Sequence, residues 1–410
     1  MKIKAFDFLS KYVSEYKISY LLEAGGPCGV LLLFRPILYS IFSRRRDLNA
    51  YASVDSSALI FIAYAFIGFI VALRELSSSN FNLGPKMLRH SGLNVFLMFS
   101  ILSFASMFWS VNLQLTGFRA FECLGMFLMI VMTLNRLFSY HNLNLVLDWS
   151  ILWAVLECAI SIIKTLSYTT NISEILETNQ MFAPFFFYIA LLSQRKKFGH
   201  YLVMAFSIFS MSTVAYIGMA LGLIGIGKGG KNLKILALIL GVCVTIAMII
   251  MGPRQLLKDT LFFDKEDISL EQTSGRDKLM NAAFESASIN PIGTGFFAGE
   301  PELFYKRGLA GINAHNAIFS SLIGCGYLGG ALMILFLIVM LFNVRSKYIH
   351  PDYRAPLFCC FCVAIVECMG NPSIGSRVYG AWIGEMYIFC LIAAFYCYGR
   401  YYKNHEIKNL

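Results

Sequence analysis

Twelve apolar runs govern what this chain can become. They lie at roughly residues 19–41, 58–73, 93–109, 118–137, 145–166, 180–194, 200–211, 214–227, 233–252, 317–343, 355–370 and 379–399. A bilayer core roughly 30 Å thick takes about 20 apolar residues as a helix, and several of these runs have that length. The run starting at Leu59 has no period-two alternation, so an outer-membrane barrel is excluded. Charged residues make up 14% of the 410, against roughly 25% in a soluble domain. The expected fold is all-α: a polytopic integral membrane protein with about twelve transmembrane helices in a single membrane domain spanning residues 1–410. The first run contains Glu23 and Arg35 behind a polar lead, which does not suit a cleaved leader.

The net charge of +10 does not point to nucleic acid, because its positives cluster in short loops. These are Arg195 to Lys197, Lys228 with Lys231 and Lys234, Arg345 with Lys347, and Arg400 with Lys403. Such clusters mark cytoplasmic loops. Two of them flank the stretch 200–227, which must then cross an even number of times. A hairpin turning near Met211, Ser212 and Thr213 meets that demand. Twelve crossings place both termini in the cytoplasm and residues 253–314 outside it. Arg44 to Arg46 fall on the outer side in this scheme, against the charge rule, so the topology of residues 1–57 stays open. The eleven cysteines lie almost wholly in apolar runs. They read as small packing residues rather than as metal ligands or a disulfide framework.

Residues 253–314 form a polar segment of about sixty residues between two long apolar runs. Loops beyond about 12–15 residues are usually functional or disordered. The many aromatic residues here argue for order. Ser274 is a candidate helix cap, with Asp277 three residues on. Leu279, Ala283, Phe284 and Ala287 then recur at helical spacing. Asn290-Pro291 stops that helix, and Gly293 and Gly295 permit a tight turn after it. This short helix either packs on the bundle or also offers Arg276, in its first turn, to an anion such as phosphate. His315 ends the segment and opens the next membrane helix. It is either a structural hydrogen-bonder or a proton acceptor kept neutral by the helix N-terminus. Gly326, eleven residues on, faces the same side of an ideal helix. With Gly329 and Gly330 it admits close approach of another helix or of a lipid chain.

Charged residues within apolar runs are functional candidates. Arg119 and Glu122 are one turn apart. Asp148, Glu157 and Lys164 share the fifth run, and Glu367 and Glu385 sit in the last two. For the acids, internal pairing is the simple reading. Arg119, Arg276 and Arg377 all fall near the outer face, where they could converge on one anionic group.

In the order of its motifs the chain resembles the O-antigen polymerase/ligase superfamily of membrane glycosyltransferases, from about residue 93 to the end. Trp109-Ser110 followed by Arg119 is similar to that family's early outer loop, and Asn179 with Ala183 to its helix-opening asparagine motif. The specific part is Ser274-Gly-Arg276, then Asn290-Pro-Ile-Gly-Thr-Gly295, then His315-Asn316 with Gly326 and Gly329. Two positions depart from the family. The arginine common in the central turn is absent at Ser212-Thr213, and Gly324 stands where an acidic residue is common.

The resemblance implies a GT-C-like architecture with one large extracytoplasmic loop in a bacterial inner membrane. It implies inverting, metal-independent transfer of an undecaprenyl-diphosphate-linked glycan at the periplasmic face. On that basis His315 is the general base, with Glu300 and Glu302 in reserve. Arg276, Arg119 and Arg377 hold the diphosphate. Asn316, Gly326 and Gly329 line the loop and the lipid groove. No cofactor or metal is expected. Partners are the lipid-linked oligosaccharide, membrane lipids and a chain-length co-polymerase. A polymerase, which extends the next lipid-linked repeat unit, is preferred to a ligase acting on lipid A–core. The rival of another class is a lipid-linked sugar flippase, whose expected internal repeat is not visible here. A membrane scaffold would leave the arginine and histidine grouping unexplained.

Overall fold

The computed structural model describes residues 18–42, 56–171, 175, 182–193, 196–210, 213–225, 276–308, 314, 316–370, 374–376, 378 and 380–402. Among these the chain is all-helical. In order the helices are α1 (Ile18–Phe42), α2 (Ser56–Ser78), α3 (Leu83–His90), α4 (Leu93–Ala105), α5 (Leu113–Ser139), α6 (Leu143–Leu166), α7 (Ala183–Leu192) and α8 (Phe198–Ile208). They continue with α9 (Thr213–Gly225), α10 (Arg276–Ile289), α11 (Gly299–Lys306), α12 (Ala317–Val344), α13 (Pro351–Gly370) and α14 (Gly380–Tyr401). A 3-10 turn, Ser106–Trp109, extends α4.

Seven of these helices are long and apolar enough to cross a membrane: α1, α2, α5, α6, α12, α13 and α14. A bent pair, α3 with α4 and its extension, supplies an eighth if counted as one span. Helix α14 is the axis of the bundle, with 89% of its central window buried. It packs on α3, α5, α12 and α13. Phe336, Phe96 and Phe389 form an aromatic chain across α12, α4 and α14, and Tyr387 shares a 2.7 Å hydrogen bond with Ser150 of α6. Helix α2 is peripheral, with only 22% of its window buried. Its Phe66, Ile67 and Ile70 point outward, as do Ile101, Ile163, Leu328 and Phe342 on other spans. Apolar surface of this extent is tolerated against hydrocarbon and not against water. The protein is a membrane-embedded helical bundle.

The bundle has two distinct ends. At one, His141 meets Tyr398 at 2.9 Å, Lys86 meets Tyr402 at 3.0 Å and Lys197 meets Asp148 at 2.6 Å. At the other, Trp109, Asn290–Ala298, the start of α12 and the turn at 374–376 come together.

Three elements differ from the sequence expectation. The segment at 93–109 is preceded by a short helix, α3, inclined at 79° to it; Leu83, Gly84 and Met87 are its buried face. The runs at 180–194 and 200–211 form helices of 10 and 11 residues, shorter than a span at 1.5 Å per residue, and the described part of the run at 214–227 is the helix Thr213–Gly225. Helices α8 and α9, the legs of the expected hairpin, part company. Helix α8 packs on α7 and α6, whereas α9 packs along α13. Met211 and Ser212 lie outside the described residues, as do the run at 233–252, the loop residues before 276, and Asn179.

Candidate functional site

The site is built around a broken helix. Helix α12 runs through Gly326 with φ 67° and ψ −163°, a non-helical conformation. An L-residue with a Cβ rarely adopts that φ. A break frees backbone groups that would stay unpaired in hydrocarbon, and here the chain from Asn290 to Gly295 supplies their partners. Thr294 N–H donates to the Ile323 carbonyl at 2.9 Å and Gly295 N–H to the Gly324 carbonyl at 2.9 Å. Tyr327 N–H donates to the Pro291 carbonyl at 3.0 Å. The Thr294 hydroxyl adds a second bond to Ile323 O, at 3.1 Å. A Cβ placed on Gly326 would overlap the Pro291 carbonyl oxygen.

Gly326 was expected to present a smooth helical face to a lipid or a helix. Loop backbone occupies that place instead, because the Pro-Ile-Gly-Thr-Gly turn is narrow enough to enter the break. The two halves of α12 therefore do not form the single straight helix that set Gly326 on the same side as His315. Gly329 is buried where the second half leaves the break, facing Cys325 and the Ser321 carbonyl.

The same loop is gripped from its other side by the segment after α4. Val111 N–H donates to Thr294 O at 3.1 Å, and Phe296 N–H to Ser106 Oγ at 2.9 Å. The Thr116 hydroxyl donates to Phe296 O at 3.1 Å, and Trp109 Nε1 to Ile292 O at 3.0 Å. Asn112 caps α5 through Leu115 N–H at 3.0 Å. Trp109-Ser110 and Asn290–Gly295, read separately in the sequence, interlock.

Phe297 follows with φ 61°, which is strained for a bulky side chain. Its buried ring lies 5.4 Å from the Arg119 guanidinium, which also sits 4.9 Å from the ring of Phe118. Arg119 pairs with Glu122 at 2.7 Å. Its Nε is buried and has no hydrogen-bond partner among the described residues. Arg119 is thus a guanidinium in an aromatic slot with one donor uncommitted.

Three residues beyond Phe297, Glu300 lies fully buried in the first turn of α11. Its Oε1 accepts from Ala314 N–H at 3.2 Å and its Oε2 from the Ser376 hydroxyl at 3.2 Å. Ala314 precedes His315 in the chain, and Ser376 precedes Arg377. The turn at 374–376 is held further by Glu385, whose Oε2 accepts from Ile374 N–H at 3.1 Å. A Cβ on Gly375 would overlap the Ala317 carbonyl, so the turn lies directly on the first residue of α12. Glu300, read from the sequence as a reserve base, is buried and accepts these bonds from Ala314 and Ser376. Glu302 is half-buried and pairs with Lys306 at 2.9 Å.

Asn316 caps α12. Its side-chain oxygen accepts from Ile318 N–H at 2.9 Å and Phe319 N–H at 3.2 Å, and its amide donates to Met369 O at 3.3 Å. Its polar atoms serve the helix start and the tie to α13. Arg276 opens α10, and the structure describes its backbone but not its side chain. Helix α10 packs on α12 through Leu279, Ala282 and Ala283, which share a small core with Phe304, Ala314 and Ile323. Phe284 was expected on that face. It is mostly exposed and meets Phe319 edge-on at 5.0 Å. His315 and Arg377 themselves lie outside the described residues.

These contacts join α10, α11, the start of α12 and the 374–376 turn at one end of the bundle. Sequence reading named Glu300 as a reserve base but missed Ser376 and the ties that Glu300 makes to it and to Ala314. Residues 300, 314 and 376 share no spacing that predicts their meeting. No protein-family model matches the chain, and no curated protein does either.

Proposed function

We propose that this protein is a membrane glycosyltransferase that polymerises a surface polysaccharide from undecaprenyl-diphosphate-linked repeat units. The observation that carries this reading is the Glu300 bridge. One buried carboxylate holds the chain beside His315 and the chain beside Arg377, next to a loop locked into a broken membrane helix. Transfer to a sugar hydroxyl needs a base at the attacking oxygen and positive charge at the departing diphosphate. In the proposed mechanism His315 takes the proton as the hydroxyl attacks the anomeric carbon with inversion. Arg276, Arg377 and Arg119 offset the charge on the diphosphate as it leaves. Arg119 would contribute its charge, with Nη1 held by Glu122.

The reading sets the site on the periplasmic face of the inner membrane, in a GT-C-like bundle of about twelve crossings. It is supported by the basic clusters, which fall at the opposite end of the bundle: Lys197, Arg345, Lys347 and Arg400 all flank helix ends there. Its direct test is a gel of surface polysaccharide from a strain lacking the gene. Capping with a single repeat unit supports a polymerase. Loss of all long glycan on lipid A–core, with polymer still on its carrier, would instead mean a ligase. Repeat units trapped inside the cell would mean a flippase.

A further inference from the structure

Five basic residues from three separate stretches of chain meet at the end of the bundle away from the candidate site. They are Lys86 and Arg89 of α3, Arg345 and Lys347 after α12, and Arg400 near the end of α14. Tertiary contacts gather the three stretches. The Asn343 amide donates to Ser91 O at 2.5 Å, which sets the end of α12 on the corner after α3. A Cβ on Gly399 would overlap the Tyr348 carbonyl oxygen, so the chain after α12 lies directly on α14. Tyrosines fill the spaces between the cations. The ring of Tyr401 lies 4.9 Å from Lys86 and 5.3 Å from Arg400. The ring of Tyr348 lies 5.9 Å from Lys347 and 5.8 Å from Arg400. Lys86 also donates to the Tyr402 hydroxyl at 3.0 Å, and Arg400 to the Tyr396 hydroxyl at 2.9 Å. Arg89, Arg345, Lys347 and Arg400 are exposed. Among the described residues, none of the five makes an ion pair. The rings ease the approach of like charges but leave their sum uncompensated.

The surface beside the patch says where a counter-charge would come from. Leu335, Ile338 and Phe342 are exposed and recur at helical spacing along α12. Arg345 continues that row three residues on. An apolar stripe that ends in cations and tyrosines has the layout of an acyl chain below a phosphate. We propose that this patch binds an anionic glycerophospholipid. Its phosphate sits among Arg345, Lys347 and Arg400, and an acyl chain lies along Phe342, Ile338 and Leu335. Charge complementarity selects this occupant. A zwitterionic lipid would bring an ammonium to a cluster of cations that holds no carboxylate among the described residues. A soluble phosphate would leave the apolar stripe unused.

The test uses the full chain in mild detergent, incubated with phosphatidylglycerol or phosphatidylcholine and weighed intact by native mass spectrometry. Phosphatidylglycerol should bind roughly tenfold more tightly than phosphatidylcholine. Changing Arg345→Gln, Lys347→Gln and Arg400→Gln together should remove that preference. The control removes the same charge at the opposite end, where Lys278, Lys306 and Arg307 are exposed. Lys278→Gln, Lys306→Gln and Arg307→Gln together should leave the preference intact. Equal binding of the two lipids by the wild-type chain overturns the proposal, as does an equal loss in both triple variants. Displacement of phosphatidylglycerol by equimolar glycerol 3-phosphate would mean a site for soluble phosphate and would overturn it too.

Discussion

At the residue scale the decisive group is Glu300. An anionic acceptor strengthens a hydrogen bond, and bonds to charged groups are worth about 1.5–3 kcal/mol each. Glu300→Gln keeps the shape and removes the charge, so both ties, to Ala314 and to Ser376, weaken together. The expected outcome is a protein that still inserts, with polymer formation reduced roughly tenfold, read as shortened chains on a gel. Wild-type chain length in that variant would show that the bridge does not position the site. The pairing of Arg119 with Glu122 was legible in the sequence because they sit one helical turn apart. The Glu300 bridge was not. Its members, Glu300, Ala314 and Ser376, come from three segments of chain, and only tertiary packing brings them within hydrogen-bonding distance.

At the scale of elements, the break in α12 does most to shape the site. Gly326→Ala forces a Cβ into the Pro291 carbonyl and a strained φ on alanine. Backbone strain of that kind costs about 1–3 kcal/mol, and expulsion of the loop adds to it. A clear drop in melting temperature and lost activity are expected. Gly330→Ala is the control, because its Cβ would make only ordinary contacts, the nearest at 3.4 Å. Equal melting temperatures for the two variants would contradict the interlock. Helix α10 and the Pro-Gly turn after it were legible from periodicity and turn chemistry. The break was not, because a glycine within an apolar run looks the same whether it packs a helix or interrupts one.

At the scale of the molecule, the apolar runs announced a polytopic helical bundle, and its long spans fall close to the runs read from sequence. Runs six to eight were harder to read, since hydropathy reports burial in apolar surroundings and not length along a membrane normal. The bundle makes a simple topological prediction. Ser288 and Ser77 are exposed near opposite ends. A cysteine at Ser288 should react with a membrane-impermeant maleimide in intact spheroplasts, and one at Ser77 only after lysis. The reverse pattern would put the site on the wrong face for a periplasmic polymerase. The central claim, glycosyl transfer by His315 with arginine at the diphosphate, is tested most directly with the purified protein and lipid-linked repeat units. Wild type should build a ladder of lengthening products, His315→Ala should build none, and Arg276→Lys should retain more activity than Arg276→Ala, since charge alone keeps part of the phosphate contact that the bidentate fork completes. A normal ladder from a correctly inserted His315→Ala protein would contradict the account.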